Sequence, residues 1–167
     1  MPFNFVRYFA MLALCLAVGM TRANAQSTFR FLNLQMKVEV SGAQTKGASS
    51  VVRVEIPAGG GPPAAHIHSR EDETFIITRG HFRFWHGKQV VDAMPGSVIF
   101  LPRNEPHQFV NVGNTAGEQL MILSPAGFER FFVEVGKRRI VLPRDRAQFV
   151  RISSAYGVRY VAPLAKR

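Results

Sequence analysis

Short runs of apolar and β-branched residues follow one another along residues 29–123. In VVRVEI (51–56) and TFIIT (74–78) such side chains recur at or near every second position, which is the period of a β-strand. Clusters of Gly, Pro, Asn and Ser separate the runs every several residues. The pattern predicts about nine or ten short strands, of which the clearest are 29–36, 51–56, 66–68, 73–78, 81–85, 89–93, 97–101, 107–112 and 119–123. Many short strands with regular turns predict a mainly β sandwich or barrel.

The pattern changes after Pro125, where apolar residues recur at helical spacing. One stripe of a helix is formed by Phe128, Phe131, Phe132 and Val135. Gly136 ends this stripe, and Pro143 suits the first turn of a second helix that runs to Tyr156. A short β-like piece, 158–161, follows. We therefore predict a mainly β fold with one or two C-terminal α-helices.

The N-terminal residues 1–25 have the pattern of a secretory signal peptide. An apolar run at 9–18 follows Arg7, and Ala23-Asn24-Ala25 gives a small-x-small cleavage site before Gln26. The alternative is an anchor helix, which needs about 20 apolar residues. We therefore expect cleavage and a secreted or periplasmic chain. The only cysteine, Cys15, lies in this segment, so the mature chain would have no thiol and no disulfide.

The mature chain, 26–167, has the length of one domain with one core. We expect a barrel at about 29–125 and a helical C-terminal extension at about 126–167. Residues 26–129 contain nine basic and nine acidic residues, whereas residues 130–167 contain ten basic and two acidic ones. Such an excess can bind nucleic acid or an anionic membrane, but here it is spread along predicted helices, which is typical of a solvated face. We expect no nucleic-acid partner, and no membrane association after signal cleavage.

Residues 60–80, GGPPAAHIHSREDETFIITRG, carry most of the candidate chemistry. His66 and His68 alternate along a predicted strand, so they share one face and lie about 6.6 Å apart along it. Glu73 begins the next predicted strand, and His107 follows farther along the chain. Imidazole nitrogens and carboxylate oxygens are common ligands of divalent transition metals. The four residues therefore predict a metal site.

The alternative to a metal site is four polar residues exposed near a loop by chance. We expect His81 and His86 to be surface residues of that kind, and Glu71 and Asp72 to face solvent before the strand begins. Apolar and aromatic residues on the neighbouring strands are expected either to pack in the core or to line a cavity beside the metal. The candidates are Phe75, Ile77, Phe82, Phe84, Phe100 and Phe109.

Three imidazoles and one carboxylate leave one or two positions open on a five- or six-coordinate ion. Open positions admit water, dioxygen or a chelating substrate, as catalytic metal sites require. The ligands suit Fe, Mn, Ni, Co, Cu or Zn, and metal availability decides among them. We expect one divalent metal ion per chain, of unassigned identity.

The chain resembles the cupin superfamily, whose members fold as small jelly-roll barrels (double-stranded β-helices). The first cupin motif is matched by Gly60, His66, His68, Glu73 and Gly80, and the second by Gly96, Pro102, His107 and Asn111. Asn104 departs from the second motif, which has glycine there, but Asn tolerates a left-handed backbone better than other non-glycine residues. The segments PAGGGPPAAHIH and SPAGFERFF also resemble small secreted cupins of the quercetin-dioxygenase-like kind.

The resemblance implies that His66, His68, Glu73 and His107 bind a metal ion. In dioxygenases of the quercetinase kind the glutamate matching Glu73 is thought to act also as general base, which implies a catalytic role here. The implied function is an oxygenase acting on a small aromatic or enolic molecule. A metal-assisted isomerase, lyase or hydrolase, and a non-catalytic periplasmic cupin that binds metal or a small ligand, stay open as alternatives. Small cupins usually pair, so we expect a homodimer in which segment 29–40 adds an edge strand to its partner.

Overall fold

The computed structural model describes residues 28–164. The predicted signal peptide, 1–25, lies outside the described residues. Within 28–164, none of the helices has the length and apolar character needed to cross a membrane.

Eleven strands build the described part of the chain, together with two helices. The strands are β1 (Phe29–Phe31), β2 (Leu34–Val40), β3 (Ser50–Ile56), β4 (His66–His68), β5 (Asp72–Arg79), β6 (Phe82–His86), β7 (Gln89–Ala93), β8 (Val98–Leu101), β9 (His107–Asn111), β10 (Gly117–Ser124) and β11 (Val158–Tyr160). They form a six-stranded sheet in the order β1-β2-β3-β10-β5-β8 and a five-stranded sheet in the order β11-β4-β9-β6-β7. All pairings are antiparallel, with neighbours in the sheets that are distant in sequence, as in a jelly roll.

The core lies between the two sheets and follows the alternation of the sequence. In β3, Val52, Val54 and Ile56 are fully buried, whereas the residues between them are partly or fully exposed. Burying each such side chain stabilises the fold by about 1.5–3 kcal/mol relative to leaving it in water. The prediction of a mainly β, jelly-roll fold of the cupin type is confirmed.

The helices are α1 (Glu129–Lys137) and α2 (Arg146–Ala155). The predicted apolar stripe of the first helix is buried at all four of its positions, Phe128, Phe131, Phe132 and Val135. Phe31 of β1 contacts this stripe edge-on, with its ring centroid 5.4 Å from Phe131 and 5.0 Å from Phe132. Such edge-to-face contacts add about 0.5–1.5 kcal/mol beyond the burial of apolar area, so α1 is held firmly against the barrel.

A buried carboxylate also joins α1 to the barrel. Glu129 accepts hydrogen bonds from the Gly42 amide at 3.2 Å, the Ser50 hydroxyl at 3.0 Å and the Gly127 amide at 2.6 Å. The first two of these donors belong to the loop between β2 and β3 and to the start of β3. Hydrogen bonds to an ionised group are the strong ones, and together they compensate the burial of the charge.

The second helix begins at Arg146, three residues after the predicted start at Pro143. A turn occupies 142–145, closed by a 2.9 Å hydrogen bond from the Val141 amide to the Asp145 carboxylate, so the helical hydrogen bonds start later. After α2 the chain returns to the barrel as β11, whose Tyr160 pairs in register with His66 of β4. The C-terminal extension therefore ends beside the predicted metal ligands.

The turn between β8 and β9 contains the position at which the second cupin motif is altered. Asn104 has φ of 68°, the left-handed conformation that glycine usually adopts and asparagine tolerates. Its amide donates a 2.7 Å hydrogen bond to the carbonyl of His68. The altered turn therefore keeps its shape and ties the approach to β9 directly to β4.

Candidate metal centre

The four predicted ligands come from three strands and meet inside the barrel. His66 and His68 lie on β4, and His107 on β9 pairs in register with His66. Glu73 on β5 belongs to the other sheet, where it pairs with Leu101 and Leu123. One ligand atom from each of the four residues lies within 4.8 Å of all the others. A single ion between the two sheets could therefore reach all four.

The cluster is dry. His68 and His107 are each 1% exposed and Glu73 is 3% exposed, while His66 is partly buried at the edge. Polar groups removed from water need partners, because each unpaired group costs about 1–3 kcal/mol. The partners of the four side chains therefore indicate what the cluster binds.

The outer nitrogens of the histidines are all engaged. His66 Nδ1 lies 3.0 Å from the Ala64 carbonyl and His107 Nδ1 lies 3.1 Å from the Glu105 carbonyl. Since a carbonyl can only accept, both Nδ1 atoms carry the proton. When these imidazoles are neutral, their Nε2 atoms must present lone pairs to the cluster.

The inner nitrogens have no hydrogen-bond partner of suitable geometry within residues 28–164. This holds for the buried Nε2 atoms of His68 and His107. His107 Nε2 lies 3.0 Å from Glu73 Oε2, so in the neutral tautomer a nitrogen lone pair faces a carboxylate lone pair. Two acceptors at this distance repel each other unless a cation lies between them. The buried, unpartnered nitrogens therefore fit a bound metal ion, which would accept electron pairs from all of them.

The pKa values of the cluster agree with this requirement for a cation. Burial, then the neighbouring His107 and His68, lowers the pKa of His66 to about 3, so His66 is neutral and ready to bind metal. Burial alone would raise the pKa of Glu73, but the imidazoles of His68 and His107 outweigh it and lower this pKa to about 2. Burial opposes charge on His68 as well, yet Glu73 and Glu71 raise its pKa.

Glu71 is the residue that the sequence analysis placed wrongly. It does not face solvent: it is 4% exposed, and its carboxylate accepts a hydrogen bond from Nδ1 of His68. A carboxylate behind a metal-binding imidazole fixes the tautomer and the ring orientation and increases the basicity of the ligand. The spacing offered a signal, because Glu71 and Glu73 are two residues apart and share a face once the chain is extended.

Asp72 lies between these two glutamates and points to the other face. Its carboxylate accepts hydrogen bonds from the amide and the guanidinium of Arg103, at distances of 2.8–3.0 Å. These bonds lower the pKa of Asp72 to about 2. Asp72 is thus partly buried in an ion pair that joins β5 to the turn before β9, and it does not contact the cluster.

His81 and His86 are not part of the cluster. His81 is partly exposed and lies 3.3 Å from Asp92. His86 pairs in register with His107, but its Nε2 lies 2.5 Å from the Glu105 carboxylate. His86 is half-buried rather than a plain surface residue, and it offers a control for histidines that are near the site without facing it.

A small apolar cavity of about 50 Å³ adjoins the cluster. Aromatic side chains form much of its lining, notably Phe75, Phe109, Phe128 and Tyr160. Phe75 and Phe109 were among the residues expected to line a cavity or the core, whereas Phe82, Phe84 and Ile77 are buried elsewhere in the core and Phe100 is 58% exposed on β8. The contributions of Phe128 and Tyr160 depend on the C-terminal elements folding back over the barrel. Among the described residues that line the cavity, none is lysine or arginine.

Removal of one imidazole should strongly reduce metal binding. We expect the protein to bind about one divalent ion per chain, and His66→Ala or His107→Ala to bind much less, because three ligands then remain of the four that a tight site needs. His86→Ala should bind as much as the unaltered protein. Elemental analysis of the four purified proteins tests this, and equal metal content in all of them would contradict the site.

The carboxylate of Glu71 should contribute to metal affinity without touching the ion. Glu71→Ala is expected to weaken binding by about 10- to 100-fold, and Glu71→Gln by less, because glutamine keeps an acceptor for His68 but loses the charge. Competition with a chelating dye gives the affinities, and the visible spectrum of the cobalt-loaded protein should change in Glu71→Ala. The control is Asp72→Asn, which changes the adjacent residue on the opposite face. Equal affinities for Glu71→Ala and Asp72→Asn would show that Glu71 plays no part.

The comparisons with known proteins agree with the fold and the cluster. Residues 52–123 match the sequence model of the family described as Cupin domain. A structure from Thermotoga maritima, described as a predicted oxalate decarboxylase, has 26% sequence identity and a TM-score of 0.55, covering 62% of this chain and 96% of that one. Among curated protein sequences, none matches the chain.

Two more distant structures support the fold alone. KdgF from Halomonas sp. has 18% identity and a TM-score of 0.52, covering 58% of this chain and 83% of that chain. Pac13 from Streptomyces, a nucleoside dehydratase, has 16% identity and a TM-score of 0.55 in its complex with uridine, covering 86% of this chain and 90% of that chain. Residues 52–123 thus match the Cupin domain model, and the two-sheet fold is similar to those of solved cupin structures.

Proposed function

We propose that the protein is a metal-dependent oxygenase acting on a small aromatic or enolic molecule. The observation that carries the proposal is the combination of a buried three-histidine, one-glutamate cluster with an apolar, aromatic cavity. A divalent ion held by this cluster would keep one or two positions open for a ligand. The cavity shares three of the four cluster residues, His66, His68 and Glu73, in its lining.

The histidines and the glutamate of the cluster would have distinct roles in the reaction. His66, His68 and His107 would hold the ion through Nε2, each kept in the right tautomer by the partner at its Nδ1. The ion would supply a Lewis acid that binds and acidifies a substrate hydroxyl. Glu73 would accept the hydroxyl proton, because it is the one metal ligand with a second oxygen free to do so.

The lining of the cavity favours a substrate with one ionised oxygen over a dianion. A dicarboxylate bound through one end would leave its other carboxylate in an apolar wall that has no described lysine or arginine. An unpaired buried charge of this kind is strongly disfavoured. Enols, phenols and catechols avoid this cost, since they can present a single ionised oxygen to the ion and an apolar ring to the aromatic wall.

Non-oxidative chemistry is the second candidate, in which the same ligands promote an isomerase, lyase or hydrolase reaction. One observation favours it: a solved structure similar to this chain, with 26% identity, is described as a predicted oxalate decarboxylase. A non-catalytic cupin that binds metal or a small ligand is the third. None of these alternatives requires dioxygen.

Oxygen consumption separates the candidates. The metal-loaded protein is incubated with a panel of catechols and of enolised diketones, in air and under argon, with an oxygen electrode and product analysis. The oxygenase predicts substrate-dependent oxygen uptake that stops under argon. Products formed equally under argon would favour the non-oxidative reaction, and a tight metal complex inert toward the whole panel would favour the binding protein.

Replacing Glu73 tests the general-base role. Glu73→Gln should retain much of the metal, because three imidazoles remain and, unlike alanine, glutamine keeps an oxygen that can coordinate. It should nevertheless lose turnover by roughly 10²-fold, the usual contribution of a positioned base. Metal content and the rate of the identified reaction are measured side by side. Glu55→Gln, an exposed carboxylate on β3, is the control and should behave as the unaltered protein. Normal turnover by a metal-loaded Glu73→Gln protein would make Glu73 a ligand only.

We also propose that the protein is a homodimer. Segment 29–40 was expected to add one edge strand, but it folds as two paired strands, β1 and β2, of which β1 forms the edge of the six-stranded sheet. The proposed pairing with a second copy therefore uses β1. Sedimentation at micromolar concentration should show a dimer. Phe100→Ser, which alters the exposed apolar side chain on the opposite edge strand, should leave the dimer intact if pairing uses β1. A stable monomer would contradict the proposal.

The proposed location is the periplasm or the cell exterior. Its support comes from the signal-peptide pattern of residues 1–25 and from ligands that need no cysteine. N-terminal sequencing of the exported protein should begin at Gln26, whereas a protein that keeps Met1 in the cytoplasmic fraction would contradict this location.

A further inference from the structure

The cavity at the metal ligands is too small for the substrates that the proposed function requires. Its volume is about 50 Å³, whereas a protein cavity that binds benzene has a volume of about 150 Å³. An aromatic or cyclic molecule can therefore reach the cluster only if part of the cavity wall moves. The structure identifies which part.

Two side chains separate the cavity from an outer cleft of about 310 Å³ that runs beside α2. Pro63 and Tyr160 line both spaces, so each has one side toward the cavity and another toward this α2 cleft. The ring centroid of Tyr160 is 6.2 Å from that of His66, one of the four ligands. A single layer of side chains thus lies between the cleft and the metal site.

This layer is among the least constrained parts of the wall. Pro63 belongs to the loop that precedes β4, and Tyr160 ends the three-residue edge strand β11. The Tyr160 hydroxyl contacts the Ser153 hydroxyl at 3.1 Å, and its ring stacks on Phe149 of α2. Loops and short edge strands open at lower free energy than central strands. Displacing Pro63 and Tyr160 should therefore require less free energy than displacing a central strand of the wall.

The α2 cleft has a chemical character of its own. Most of its lining is apolar and includes Ala64, Leu142 and Phe149. One cation, Arg146, lies at its edge and is exposed. The adjacent carboxylate, Asp145, is paired with Arg144 at 2.7 Å, and no ion pair joins Arg146 to any acidic residue within 28–164. An apolar cleft with one free guanidinium fits a ring that carries one anionic group.

We propose that substrate reaches the metal site through the α2 cleft, past Pro63 and Tyr160, and that Arg146 binds a carboxylate on the substrate. The substrate class is then an aromatic or cyclic enolic acid: its chelating oxygen goes to the metal and its carboxylate stays at Arg146, outside the cavity that cannot accept a second charge. The inference rests on the proposed function, from which it takes both the metal ion and the aromatic or enolic class of the substrate.

Removal of the metal by two aromatic chelators measures the route and the charge preference together. The zinc-loaded protein is mixed with pyridine-2,6-dicarboxylate, which is anionic, or with 1,10-phenanthroline, which is neutral. Both rates should rise with chelator concentration, because the chelator itself enters the site. Arg146→Ala should slow the anionic chelator by about 3- to 5-fold at low salt and leave the neutral one unchanged, the usual effect of one exposed charge.

Two further variants control the experiment. Arg151→Ala removes an exposed arginine of the same helix that lines a different cleft, and it should change neither rate. Val150→Trp adds a large ring to the α2 cleft at a position that is 40% exposed, so the fold should tolerate it, and it should slow both chelators. Equal zinc content before mixing shows that the site is intact in each variant.

Each outcome bears on one part of the proposal. Unchanged rates in Val150→Trp would overturn the route and favour the neighbouring cleft of about 590 Å³, which borders the cavity through Pro62 and Pro63 but not through Tyr160. Unchanged removal by pyridine-2,6-dicarboxylate in Arg146→Ala would overturn the carboxylate site.

A protein that binds no metal would contradict the proposed function but would still test the cleft. Benzoate binding to the metal-free protein, followed by ligand-observed NMR, should be about 3- to 5-fold weaker in Arg146→Ala and unchanged in Arg151→Ala. Equal binding to both variants, or none to the unaltered protein, would overturn the anion site independently of the metal.

Discussion

Three imidazoles and one carboxylate face each other in a space from which water is nearly excluded, and the rest of the structure depends on how their charge is balanced. The shortest contact, 3.0 Å between His107 Nε2 and Glu73 Oε2, brings two acceptors together. A proton can relieve that repulsion for one pair only, whereas a divalent ion accepts electron pairs from all four side chains. The two positive charges of such an ion would be balanced by two carboxylates, Glu73 as a ligand and Glu71 behind His68.

The barrel holds this arrangement by using both of its sheets. The three histidines lie on adjacent strands of the five-stranded sheet, and Glu73 comes from the facing sheet, so the ion would link the two layers. Contacts outside the cluster set the approach of these strands. The Asn104 amide bonds to the His68 carbonyl, and Arg103 bonds to Asp72 next to Glu73. The turn between β8 and β9 thus positions strands of both sheets. Asn104 in this turn adopts a left-handed backbone conformation.

Local patterns in the sequence were sufficient to predict most of the strands, the first helix and the four residues of the cluster, because alternation and the H-x-H spacing are properties of a single extended strand. The predicted strand 29–36 was wrong: a turn at Leu32, whose φ is 53°, divides it into β1 and β2, and alternation alone does not show such a turn. The direction of Glu71 was missed because it depends on where β5 begins, one residue beyond it at Asp72. The exposure of Phe100 was missed for a related reason: alternation predicts two faces for a strand but not which of them another layer covers. The cavity wall depends on residues far apart in sequence, since β11, which follows both helices along the chain, pairs with β4.

The part of the cavity wall formed by the C-terminal elements affects what the buried site can do. Phe128 contacts the His68 ring at 4.5 Å and Tyr160 lies beside His66, so the C-terminal elements keep water away from the ligands. Excluding water strengthens the interaction of an ion with a developing anion, because the effective dielectric constant falls. The same exclusion leaves a cavity smaller than any ring that the site could act on. A closed, dry site and a bulky substrate are compatible only if the wall opens and closes during each cycle. In the proposed oxygenase, the rate of that movement, rather than proton transfer to Glu73, would then be able to limit turnover.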